Sequence, residues 1–150
     1  MALTLPDICG KLENPNKKSS VRYIEWFNQW LLPQYTHCIG ANKEKHIFLS
    51  GEDCYALRCS YLHEGGGDID TQKIRNALAK FHFISRPNGT GSIHMNQFGN
   101  MLQLQIDIFC KEIISAVNNW MLSMQNNATV KSGVMDLLIV HDGSNGVSFP

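Results

Sequence analysis

The stretch Ser50–Gly67, S-G-E-D-C-Y-A-L-R-C-S-Y-L-H-E-G-G-G, reads as one complete helix with its own start and stop. Ser50 is a capping residue. Glu52 and Asp53 put negative charge in the first turn, where unpaired N–H groups point outward. Gly65, Gly66 and Gly67 end the helix, because glycine takes the left-handed conformation that closes a helical turn. Cys54, Leu57 and Tyr61, at i, i+3 and i+7, predict a buried stripe. Arg58 lies beside that stripe and His63 lies at the closing turn, so a permanent cation and a titratable ring share one helix.

Outward from this helix, the chain alternates apolar helical patterns with turns. Leu5–Glu13 predicts a short helix, with Pro6 suited to the first position and Asp7 to the positive end; Gly10 weakens it by about 1 kcal/mol. Ser19–Leu32 predicts a second, capped by Ser19 or Ser20 and stopped by Pro33. Ile24, Phe27 and Leu31 form its core stripe, and Tyr23, Trp26 and Trp30 a second stripe beside it. So wide an apolar surface suits a bundle interior or a subunit contact, with base stacking by the tryptophans as the alternative. Gln34–Leu49 reads as a connection.

After the central helix, Thr71–Ala79 predicts a short helix. Phe81–Ile84 and Ile93–Met95 then predict two strands of a hairpin around the turn-rich Pro87–Gly91. His82 and His94 would face each other across it. Asn96–Asn126 predicts the longest helix, about 40 Å if unbroken. Leu102–Ile108 also alternates like a strand, but length and the later spacing of Phe109, Ile113, Val117, Trp120 and Met124 decide for helix. The expected fold is mainly α: a bundle of four to five helices with a small β-hairpin insertion near residues 80–96. The domain spans 1–127, and 128–150 forms a C-terminal tail in which Met135–Val140 is a short strand or helical turn.

Composition narrows the function classes. The formal net charge is +0, so wholesale attraction to nucleic acid is not expected and any RNA contact needs a local basic patch. Lys17, Lys18, Arg22, Lys43 and Lys45 are its candidates, with Arg58 and Lys80. Five cysteines without a C-x-x-C pair point to a reducing compartment, and no N-terminal leader pattern is visible. No stretch approaches the roughly 20 apolar residues of a membrane span. The expected setting is cytoplasmic. His37 and Cys38 are adjacent and lack a second pair at usable spacing, so no metal and no cofactor is expected.

Arg58-Cys59-Ser60-Tyr61-Leu62-His63 is an R-x4-H motif inside a helix with an acidic start and a glycine stop. It resembles the HEPN domain family, whose ribonuclease members carry such a pair near a helix end; Cys59 stands where that family usually has a polar residue. Arg75 and His82 form a second match, R-x6-H, but the pair runs from a helix end into a strand. The resemblance implies a helical bundle and a dimeric, metal-independent endoribonuclease, with a toxin–antitoxin or phage-defence role. Its partners would be RNA, a second copy of the chain and an antitoxin.

In that reading Arg58 and His63 are catalytic, with Tyr61, Ser60 and Glu64 supporting them. The chemistry is coherent. Histidine titrates near neutral pH and suits proton transfer at the 2′-hydroxyl, while the planar guanidinium matches phosphate oxygens. Five helical residues turn through about 140° and rise about 7.5 Å, so one protomer does not place both groups on one phosphate. A two-fold axis would bring two such pairs into one groove. The competing reading is a catalytically inactive HEPN-like module that binds nucleotides or proteins, in which Arg58 ties helices together and His63 bonds the last carbonyls of its helix.

Overall fold

Helix α1, Leu5–Glu13, has the bounds its sequence predicts, and its glycine has a use that helix propensity does not show. A β-carbon on Gly10 would lie 2.8 Å from the carbonyl oxygen of Arg22. Gly10 is therefore where α1 and the second helix, α2 (Ser19–Trp30), approach each other most closely. Tyr23, Trp26 and Phe27 of α2 are buried against this contact. Ser19 does not cap α2; its hydroxyl donates to Asp7 Oδ1 at 3.0 Å. The helix ends at Trp30, and a 3-10 turn, Leu32–Tyr35, carries Pro33 past the point where an α-helix would need its N–H. The computed structural model describes residues 2–70, 72–86 and 91–137, with backbone only for Glu64.

The expectation of a mainly α bundle with one small hairpin is overturned. Among the described residues, five α-helices stand with five strands in two sheets, a mixed α/β fold. The first sheet lies in the stretch read as a connection. Strands β1 (Thr36–Ile39) and β2 (Glu44–Ile47) pair antiparallel, with Gly40 and Lys43 at positive φ between them. The second sheet has the order β3-β5-β4, where β3 is Lys80–Ile84, β4 Asn96–Phe98 and β5 Met101–Gln105. Strand β3 runs parallel to β5, with Phe81 opposite Leu102 and Phe83 opposite Leu104; β4 pairs antiparallel with β5.

The predicted partner of Phe81–Ile84, Ile93–Met95, is thus not in the sheet, and residues 87–90 of the turn expected at Pro87–Gly91 lie outside the described residues. The strand hidden in the predicted helix Asn96–Asn126 is the reason for the difference. Leu102 and Leu104 are both fully buried. Two residues apart, they share one face of a strand but would diverge by about 200° on a helix. The helix, α4, starts only at Ile106 and runs to Ser123, burying Phe109, Ile113, Ala116 and Trp120. A last helix, α5 (Ala128–Met135), is capped by Asn127, whose side chain accepts from the Val130 N–H at 3.1 Å. Val130 joins the core, and Gly133 lies against Leu12 of α1. The remainder of the expected tail, 138–150, is outside the described residues. Among those residues no helix is long and apolar enough to cross a membrane.

The central helix, α3, covers Gly51–Glu64 with the predicted caps: the Ser50 hydroxyl accepts from the Asp53 N–H, and Gly65 closes the helix at φ 69°. Its buried face differs in one place. Cys54, Ala56, Leu57 and Ser60 are inside, but Tyr61 is 51 % exposed. The last turn of α3 runs past the core, and Tyr61 sits on the rim of grooves shared with Phe83.

Asp53 does more than complement a helix end. It is 2 % exposed, and its carboxylate accepts from the backbone N–H groups of Asn76 (2.7 Å), Ala77 (3.2 Å) and Leu78 (3.3 Å) and from the Ser50 hydroxyl (2.9 Å). Consecutive N–H groups turned toward one anion are lost to i→i−4 pairing. The segment predicted as a helix over Thr71–Ala79 is accordingly irregular, with Thr71 itself outside the described residues.

Two substitutions test this frame by urea unfolding. Asp53→Ala strands the buried Leu78 N–H and two part-buried ones, a buried donor costing about 1–3 kcal/mol, so a loss of about 2 kcal/mol or more is expected; an unchanged midpoint would show that the cluster is unimportant. Gly10→Ala improves helix propensity by about 1 kcal/mol yet drives a β-carbon into a backbone carbonyl, so the net effect is destabilising by about 1–3 kcal/mol. A stabilised Gly10→Ala chain would refute the close-approach account.

Candidate functional site

Arg58 leaves α3 toward the N-terminal helices. Its Nη2 donates to Asp7 Oδ2 at 2.7 Å, and the guanidinium carbon lies 5.8 Å from the centre of the Tyr55 ring. Asp7 is shared: its Oδ1 accepts from Arg22 Nε at 3.0 Å and from the Ser19 hydroxyl. One carboxylate of α1 therefore sits between an arginine of α2 and one of α3. The Arg58 and Asp7 side chains are only 18 % and 16 % exposed, so this pairing is little screened by water. Arg58 Nε is buried without a hydrogen-bond partner. Burial, with Cys59 alongside, pushes the Tyr55 phenol up, while Arg58 acts in the opposite sense.

The other residues of the motif go elsewhere. The Ser60 hydroxyl is turned inward and donates to the Asp68 carbonyl at 2.6 Å, pinning the chain that leaves α3. His63 is exposed, and among the described residues no hydrogen bond or ion pair joins it to Arg58. The Glu64 side chain lies outside the described residues. Tyr61 lines a groove of roughly 270 Å³ with Ala2, Leu3, Phe83, Ile106, Phe109 and Cys110, a mainly apolar surface. In the second motif match, Arg75 pairs with Asp70 at 3.0 Å and His82 is exposed on β3, so those two side chains do not converge either.

A polar cluster that the sequence did not suggest lies on the opposite flank of α4. His94 Nε2 is 3.1 Å from Glu112 Oε2, and the Tyr35 hydroxyl donates to the same oxygen. His94 Nδ1 accepts the Gln105 N–H at 3.3 Å, which places the ring proton on Nε2, facing Glu112. Both ring nitrogens are thus occupied and the imidazole is only 6 % exposed, and the triad joins β5, α4 and the Tyr35 turn. Burial and the adjacent Glu112 push the Tyr35 phenol well up. One signal was available: Glu112 falls on the helical face of Phe109, Ile113 and Ala116, where an acid needs a partner. His94 is not opposite His82, because its segment pairs with no strand.

Among the described residues no group of three His, Cys, Asp or Glu side chains converges on a metal-sized site. His46, from the stretch weighed for metal binding, instead bonds Gln97 Oε1 at 2.7 Å and so ties the two sheets together. No family model, no curated protein and no solved structure matches the chain.

The cysteines make the buried electrostatics measurable. Burial pushes the thiols of Cys9 and Cys54 up from about 9 to about 12. A group whose pKa rises on folding stabilises the fold fully below its unfolded value, and that contribution is lost as pH climbs toward the folded one. Stability to urea should therefore fall between about pH 9 and about pH 12. In the same range exposed Cys38 should be alkylated in the native protein while Cys9 and Cys54 stay protected. Early alkylation of Cys54 in folded protein would contradict this.

Proposed function

We propose that this chain is a protein-association module that acts through an exposed apolar surface at the end of α3 and along α4. One observation carries the reading: Tyr61, Phe83, Ile106, Ile114 and Met121 are between 37 % and 57 % exposed, far more apolar surface on adjoining elements than a helix facing only solvent needs. The pairing of Arg58 supports it from the other side. A guanidinium already paired with Asp7 is engaged in joining α1 and α3, and a phosphate would have to compete with that carboxylate. A cytoplasmic setting fits the reduced cysteines that this reading assumes.

The second reading is the metal-independent endoribonuclease of HEPN type, with RNA and an antitoxin as partners. The observation in its favour is that His63 stands exposed in the last turn of α3, the helix that also carries Arg58.

One experiment separates the two: incubation of the native chain, His63→Ala and Arg58→Ala with a mixed labelled RNA pool in EDTA. The association reading expects no cutting by any folded form. Cutting by the native chain that is lost in folded His63→Ala and Arg58→Ala would establish the ribonuclease and overturn the association reading as the primary function.

A further inference from the structure

The last turn of α3 borders a sheet edge whose pairing stops short. Strand β3 is an outer strand of its sheet, with β5 on one side. On its other side the chain that leaves α3 begins to pair with it. The Phe81 N–H donates to the Gly67 carbonyl at 2.7 Å and the Ile69 N–H to the Ala79 carbonyl at 2.8 Å, which makes one antiparallel bridge between Asp68 and Lys80. Before Gly67 the backbone turns at Gly65, φ 69°, and is committed to α3, so the pairing goes no further. Backbone groups alternate sides along a strand. With the Phe81 N–H on Gly67, the N–H and C=O of Phe83 therefore point along the same open edge. Among the described residues no backbone group meets them there. Two grooves flank the gap. One, of roughly 300 Å³, lies between Gly65–Gly67 and Phe81–Phe83; the other is the mainly apolar groove described above, and Tyr61 and Phe83 wall both.

We infer that this edge takes up an extended peptide segment of alternating apolar and acidic residues, added as an antiparallel strand beside β3. The inference rests on the association reading and names the class of partner. Continuity is the first argument: the added strand extends the pairing that Asp68 begins, and an open edge is a template for it. In the register set by the Asp68–Lys80 bridge, the residue opposite Phe83 exchanges both backbone hydrogen bonds with it. Its side chain lies on the Phe83 face, against Tyr61 and the apolar groove.

Charge is the second argument. Side chains on the opposite face of the added strand meet Lys80 and His82, both exposed, and Arg86 follows just past the strand. Between Asp70 and Asp107 the chain carries Lys73, Arg75, Lys80 and Arg86 and no acidic residue, a basic stretch in a chain of zero formal net charge. Opposite charges across a strand pair are favourable and like charges are not. A second copy of β3 in this position would set its own basic residues against these. A single-stranded RNA would use the basic face but leave the Phe83 backbone groups and the apolar groove unmatched.

The test is a titration of the full chain with a fluorescein-labelled peptide of about seven residues alternating valine and glutamate, long enough to span the edge. Saturable binding is expected by anisotropy, with exchange of the Phe83 amide proton slowed at least about tenfold. Lys80→Glu, and a peptide with lysine in place of glutamate, should each weaken binding by at least about tenfold. Circular dichroism and the urea midpoint show whether Lys80→Glu still folds. N-methylation separates strand addition from loose contact: methylating the valine amides, which face β3 in this register, should abolish binding, and methylating the glutamate amides should spare it. Equal effects of the two methylation patterns, or an unchanged Phe83 amide, overturn the added strand. A valine–glutamate peptide that does not bind overturns the inference and leaves the association reading to a partner of another kind; an oligouridine that then binds and depends on Lys80 assigns the edge to nucleic acid. The RNA-cleavage assay bears on the association reading alone, so the two failures are distinguishable.

Discussion

A buried carboxylate that no cation pairs among the described residues organises the second half of the chain. Asp53 is held by hydrogen-bond donors only: the Ser50 hydroxyl and three successive N–H groups from residues 76–78. A desolvated anion is costly unless its lone pairs are met, and here they are met by groups that would otherwise be orphaned themselves. The geometric consequence is long-range. Fastening residues 76–78 to the start of α3 seats Leu78 in the core and delivers the chain at Lys80 in position to run as β3. The Ile69 N–H on the Ala79 carbonyl and the Ala79 N–H on Asn100 then set the sheet register beside it.

The N-terminal half rests on a second anion. Asp7 projects from α1 between Arg22 of α2 and Arg58 of α3 and holds both. Removing that carboxylate would leave two guanidinium groups side by side in a partly dry site, whereas removing either arginine leaves the other still paired. Gly10, three residues on, permits the approach of α1 to α2 that this arrangement needs. Arg58 therefore ties α3 to α1 in this chain.

The same packing determines what is left uncovered. The fold uses one stripe of α4 for its core and leaves the neighbouring one outside, while the last turn of α3 carries Tyr61 and Leu62 out to the surface. An apolar surface rimmed by polar residues marks association more than catalysis. The polar cluster of Tyr35, His94 and Glu112 illustrates the contrast: its donors and acceptors are paired internally, and it stabilises the junction of β5 and α4.

The bounds of α1, both caps of α3 and the burial of Phe109, Ile113 and Trp120 on α4 were determined by the sequence alone. A proline at a first turn, a serine before an acidic turn and a glycine at positive φ act within a few residues, so their meaning is local. The strand Met101–Gln105 was legible in its alternation but was outweighed by the helix that follows it, because alternation becomes decisive only once Phe81 and Phe83 supply a partner strand. Asp53, Asp7 and Tyr61 looked like a helix-start acid, another such acid and a core residue. Tertiary structure made the first a buried and the second a part-buried anchor for segments 12 to 51 residues away and left the third exposed, because contacts at that separation are chosen by how the elements pack and not by the residues that flank them.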